Sequence, residues 1–172
     1  MLIRSTKDVN FTGKRFFFEG FDGTLADNWE AVSVVGAQVW NIQQFGNPKP
    51  CVVMNGFAGG NNANEDWLIS KPISLQGFTS ASLSFETDVR YAGNVLQVFV
   101  TDNYTNDPTT TVWTALPATM DPNNTAFNTW TNSGDLSLNA FVNKSVRVAF
   151  KYTSTTSAAS TWELDNVKVV GN

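Results

Sequence analysis

Residues 145–170 read SVRVAFKYTSTTSAASTWELDNVKVV. In the first eight, Val146, Val148, Phe150 and Tyr152 recur at every second position, with Arg147 and Lys151 between them. That is the period of a half-buried strand, one face in a core and the other in water. After a Thr/Ser segment a second strand begins. Trp162 and Leu164 lie two apart, as do Val167 and Val169, but Leu164 and Val167 are three apart. The inward face slips by one residue at Asp165-Asn166, which is what an inserted bulge residue does to a strand.

The same short period recurs upstream. Strands are expected over residues 15–21, 31–35, 38–42, 51–56, 66–75, 81–91, 95–101, 110–116 and 127–134, with Pro72 stopping the run DWLISKPISL. Gly-, Asn- and Pro-rich stretches separate them, notably GFAGGNNANED (56–66), TDNYTNDPTTT (101–111) and MDPNNTAFN (120–128). No segment sustains a helical period, and DLSLNAFVN (135–143) has room for one helical turn at most. About ten short strands with turn signals between them predict an all-β, antiparallel β-sandwich.

Composition agrees. Hydrophobic residues are 42% of the 172 and charged residues only 15%, so Asn, Thr and Ser must supply the polar surface, as in extracellular β proteins. The formal net charge is -4, which argues against a nucleic-acid partner. No run reaches the length of a membrane span, so direct membrane insertion is not expected. The opening MLIRSTKDVNFTGKR is polar and lacks the apolar core of an export signal. Cys51 is the sole cysteine, which excludes an internal disulfide, and its setting in PCVVM predicts burial.

The chain has no histidine, which removes Ser-His nucleophilic catalysis and the commonest transition-metal ligand. Glu86 and Asp88, two apart on one strand face, are the remaining candidate pair for glycoside hydrolysis, and a solvated strand face is the simpler account of them. Oxygen ligands without His or Cys would suit calcium. Acids and amides do cluster in the loops, although Asn and Asp also make turns unaided. Among the aromatics, Trp67 and Trp162 look inward by alternation, and Trp29 and Trp40 sit in apolar contexts. Trp113, Trp130, Tyr104 and Tyr91 lie nearer polar or loop positions and are the candidate ligand-binding residues, against the alternative of rim packing.

Three pieces, DWLISKPISL, VFVTDNY…WTAL and VAFKYTS…WELDNVKV, together resemble the choice-of-anchor J or cleaved-adhesin modules of Bacteroidetes secreted proteins, relatives of the gingipain haemagglutinin/adhesin modules. The resemblance spans about Phe16 to Val170 and implies a galactose-binding-like jelly roll. It implies a non-catalytic binding or adhesion module, with a glycan or protein ligand, or else a purely structural spacer. It also implies a structural calcium where the first and last strands meet. Asp22 and Asp165 are the matching ligands, Glu19 a companion, and Asp66 or Asn62 completes the shell. The first residues resemble the tail of a lipoprotein domain. Residues 1–14 are therefore expected to be a preceding tail or linker and 15–172 the module, a monomeric piece of a larger protein at the cell surface or outside the cell.

Overall fold

The computed structural model describes residues 14–172. The expected preceding tail, but for Lys14, lies outside them. In chain order the elements are β1 (Lys14–Glu19), α1 (Leu25–Asn28), β2 (Trp29–Val35), β3 (Asn41–Gln43), β4 (Cys51–Asn55), β5 (Asn64–Ser70), β6 (Ile73–Ser74) and β7 (Ala81–Arg90). There follow β8 (Gln97–Thr101), β9 (Thr114–Ala115), β10 (Thr131–Asn132), β11 (Leu136–Ser137), a 3₁₀ turn (Asn139–Phe141), β12 (Ser145–Ser154) and β13 (Thr161–Gly171). Two antiparallel sheets pack face to face. One runs β10-β7-β13-β4-β3, with β1 added to β13 and β11 to β7; the other runs β2-β5-β12-β8-β9, with β6 on β12. This is the predicted sandwich.

The two strands of the opening quotation lie inside opposite sheets. β12 sits between β5 and β8, and Val146, Val148, Phe150 and Tyr152 all enter the core, as their alternation requires. Phe150 meets Phe85 of the facing sheet edge to face at 4.9 Å, and Trp29 at 5.9 Å. Truncating such a side chain to alanine costs about 3–5 kcal/mol. The buried hydroxyl of Tyr152 accepts the Gly56 N–H (2.9 Å) and donates to the Ser160 carbonyl (2.7 Å). It thereby ties β12 to the chain just after β4 and just before β13. Pro72 separates β5 from β6 as predicted, and the Ser70 hydroxyl accepts the N–H of Val148 there (3.0 Å).

β13 carries the expected slip. Its register with β7 shifts between Asp165 and Lys168, and Asn166 takes a left-handed φ of 51°. On its other edge β13 pairs β4 through residues 161–164 and β1 through residues 167–171. The bulge therefore stands where the strand changes neighbours.

One inward assignment fails. Trp67 is buried but faces the outside of its sheet, with Ile69 and Ala149, in a second small apolar cluster covered by Val32, Phe99, Tyr104 and Trp113. Leu68 is the residue that enters the main core. Both faces of β5 are dry, so alternation could not say which was which.

Candidate functional site

Three groups of residues come from the candidates, and the sheets distribute them differently.

The first group is acidic. Across the β7–β13 ladder Glu163 lies opposite Asp88, and Asp165 opposite Glu86. The intervening pairs Trp162–Val89 and Leu164–Thr87 point inward, so all four carboxylates share the outer face. Asp88 is fully buried: one oxygen accepts from the Asn128 amide (2.6 Å), the other from the amide and hydroxyl of Thr129 (3.2 and 3.0 Å). Asp121 sits beside it, taking the Val89 amide (3.0 Å) and lying 2.7 Å from the same Thr129 hydroxyl. Burial works against the charge of Asp121, and the bonds from Val89, Asn123 and Thr129 outweigh it, holding its carboxyl below the usual range. Glu86 accepts from the side-chain amides of Asn166 (2.8 Å) and Asn47 (3.3 Å). Asp88 is therefore no part of a solvated face, whereas Glu86 is half-buried. Asp88 is roofed by residues 128–129 and spends both oxygens on them.

The second group is the expected calcium shell, and its members do not gather. Glu19 is paired with Val167, whose side chain is in the core, so it faces inward, whereas Asp165 faces outward with Glu86. Glu19 already accepts the Phe21 amide (2.6 Å) and the Asn28 side chain (2.7 Å), which fixes the turn between β1 and α1. Asp22 is half-buried in that turn. Asp165 accepts the Asn47 amide (3.0 Å) and the Asn166 amide (2.7 Å), and Asn166 donates to the Asn47 carbonyl (2.6 Å). The pair thus clamps the loop between β3 and β4. Asn62 spends its side-chain amide on the Gly60 and Gly56 carbonyls (2.8 and 3.2 Å). Among the described residues no three Asp, Glu or Cys side chains form a metal cage. Glu19 and Asp165 lie on opposite faces of the first sheet.

Asp66 stands apart. It is 1% exposed and faces the core from β5, and among the described residues Ser33 is the one side chain that bonds toward its carboxylate, at a distance too long for a full hydrogen bond. Burial pushes its carboxyl up to about 6; Ser33, directly across the β2–β5 ladder, holds the shift back and Glu65 adds to it.

The third group is aromatic. Trp113 stacks on Trp67 at 5.4 Å and donates its indole N–H to the Pro108 carbonyl (3.0 Å). Tyr104 lies against Trp113 at 6.0 Å, with the Arg147 guanidinium 4.6 Å from its ring. Both belong to the outer apolar cluster and serve packing. Trp130 is half-buried before β10. Tyr91 differs: it is 55% exposed, held at φ 69° at the end of β7, with its amide on the Asn124 carbonyl (2.8 Å). Phe127, 37% exposed, meets it edge to face at 6.4 Å, and Arg90 lies 5.2 and 5.5 Å from the two rings. Sequence inspection missed Phe127 and Arg90. The mark they leave is two aromatics at loop positions, each next to a residue of left-handed backbone, Tyr91 itself and Asn128.

A jelly-roll sandwich with an exposed aromatic pair at its rim is the class these observations define. No family model and no curated protein matches the chain. Solved structures do. The K3 cleaved adhesin domain of Lys-gingipain from Porphyromonas gingivalis superposes with a TM-score of 0.73 at 18% identity, over 92% of this chain and 99% of that one. The family 11 carbohydrate-binding module of Clostridium thermocellum, in complex with a β-1,3-1,4-mixed-linked tetrasaccharide, gives 0.59 at 12% identity, over 94% and 98%. TmCBM61, in complex with β-1,4-galactotriose, gives 0.58 at 10% identity, over 93% and 100%. The fold is that of the gingipain-type adhesin modules and of carbohydrate-binding jelly rolls, the fold that the sequence resemblance implied.

Proposed function

We propose that this chain is a non-catalytic binding module of an exported bacterial surface protein, monomeric in isolation, that takes a glycan at the Tyr91–Phe127 rim. The observation that carries this is the pairing of two exposed rings under the Arg90 guanidinium. Such a pair offers an apolar platform for the C–H face of a sugar, and a cation whose donors suit its hydroxyls. The exposed amides of Asn124 and Asn128 border it. The fold shared with carbohydrate-binding modules and adhesin domains supports the reading without carrying their ligands over. A structural calcium belongs to the same proposal as a stiffener of the sandwich, separate from the sugar.

A glycan array probed with the purified module tests it, followed by titration of the best hit against Tyr91→Ala/Phe127→Ala. Truncating anchors of this kind costs at least about 2 kcal/mol, roughly 30-fold in affinity. Binding to no glycan would return the module to the role of a spacer between neighbouring domains, and unchanged affinity in the double variant would move the glycan site away from the Tyr91–Phe127 rim.

A further inference from the structure

Arg90 ends β7 on the outer face of its sheet, on the same face as Asp88 and opposite Thr161 of β13. Its guanidinium lies 5.2 Å from the centre of the Tyr91 ring and 5.5 Å from that of Phe127. Both rings stand on anchored backbone. Tyr91 is held at φ 69° with its amide on the Asn124 carbonyl (2.8 Å). The amides of Asn128 and Thr129, just after Phe127, are bonded to the Asp88 carboxylate (2.6 and 3.2 Å). The rings therefore confine the guanidinium before any ligand arrives, so little further side-chain freedom is lost on binding.

What the rings do not supply is an acceptor. Aromatic faces attract the charge, but the N–H donors of a guanidinium lie in its plane and point past them. Other cations of this chain have carboxylates: Glu30 lies 3.6 Å from Arg147, Glu65 3.1 Å from Lys151 and Asp102 2.7 Å from Lys144. Among the described residues none supplies Arg90 with one. The acids beside it are engaged elsewhere. Asp88 is bonded to residues 128–129, and Asp121 to the Val89 and Asn123 amides and the Thr129 hydroxyl. Asp88, Asp121 and Glu163 are all buried, whereas Arg90 is half-buried, so at this rim the charge that solvent meets is the cation. We infer that the rim selects acidic glycans: the Arg90 guanidinium takes the carboxylate of a uronic or sialic acid residue, while Tyr91 and Phe127 take the apolar face of the sugar. A carboxylate matches two parallel N–H donors of the fork. The exposed side-chain amides of Asn124 and Asn128, which make no hydrogen bond among the described residues, remain for hydroxyls. The inference rests on the glycan reading of the rim and adds the class of ligand.

The test titrates the whole chain with trigalacturonate and with its methyl ester, which keeps the shape and loses the charge. 3′-Sialyllactose against lactose forms a second pair and separates the two sources of carboxylate. In at least one pair the acid should bind about 10-fold or more tighter than its neutral counterpart, the worth of hydrogen bonds to a charged group. Arg90→Gln should bring that ratio to within about 3-fold, and Arg90→Lys, which keeps the charge without the fork, should fall between. The ester comparison needs no variant, so it stands even where Arg90→Gln folds poorly. Equal affinity for acid and neutral sugars, with both lost in Tyr91→Ala/Phe127→Ala, would overturn the acidic class and keep the rim. So would a ratio that survives in Arg90→Gln. Tighter binding of 6′-sulfolactose than of either carboxylate would overturn the carboxylate assignment. Binding that survives the double aromatic variant would overturn the rim reading and this inference with it. Binding to neither acid would overturn the inference and leave the glycan array to decide the rim.

Discussion

Glu163 and Asp88 face each other across the β7–β13 ladder, both buried, and they are hydrogen-bonded unequally. Asp88 takes three hydrogen bonds from residues 128–129, whereas among the described residues Glu163 has only the Cys51 thiol, 4.0 Å away. Burial, then the charges of Asp88 and Asp165, push Glu163 up to about 7. The outer face of the first sheet is therefore a structural acid layer in which one member stays protonated through mildly acidic pH.

Stability should respond to that proton. An acid whose pKa is raised on folding stabilises the fold fully below its unfolded value, and the gain is lost as pH rises through the folded value. Between about pH 4.5 and 7.5 the protein should lose about 3 kcal/mol of unfolding free energy on this account. Asp66, raised to about 6, adds loss of the same sign. Glu163→Gln should flatten the profile and stabilise the protein at pH 8, with little change at pH 4.5. Urea denaturation at a series of pH values reads this directly, and parallel profiles for the two proteins would refute the assignment.

Trp113 and Tyr91 should separate cleanly. Trp113→Ala removes a ring that covers Trp67, and should cost about 2–3 kcal/mol of stability, because a half-buried aromatic loses less than the 3–5 of a core one. It should leave glycan affinity unchanged. Tyr91→Ala should do the reverse, since an exposed side chain contributes within about 0.5 kcal/mol. Thermal melts and glycan titration on the same two variants check both halves. A destabilised Tyr91→Ala would place that ring among the packing residues.

Much of this fold was legible because its strands alternate. β12 could be assigned residue by residue, Pro72 ended β5, and the three-residue step from Leu164 to Val167 located the bulge. What the period cannot carry is the partner across the gap. Asp165 was expected to aim at the first strand and instead holds Asn47, 118 residues away along the chain. Trp67 was assigned inward because alternation distinguishes faces only when one is wet, and here neither is. Among the metal candidates, Asp66 stood out only as an acid beside a loop. Burial, which is a property of the assembled sheets, is what sets it apart.

The clamp on the β3–β4 loop should be worth measuring. Asp165→Ala leaves the amides of Asn47 and Asn166 without their acceptor, at about 1–3 kcal/mol for each one left unmet. Hydrogen exchange should show residues 44–50 opening faster while the centre of β12 keeps its protection. If the whole molecule loosens equally, the pair is part of the global core and not a local fastening.

Asn166 makes the last test, because two effects meet in one residue. Its φ of 51° lies in the left-handed region, which costs an ordinary residue roughly 1–2 kcal/mol and which Asn and Gly tolerate. Its side chain also donates to the Asn47 carbonyl and to Glu86. Asn166→Gly removes the hydrogen bonds and keeps the backbone; Asn166→Ala removes both advantages. Alanine should therefore be the worse of the two by about 1 kcal/mol in urea denaturation, although alanine is normally the better residue in a strand. If the order is reversed, the bulge is not fixed by backbone conformation. The two amide bonds to the loop and to Glu86 would then be what holds β13 in register as it passes from β4 to β1.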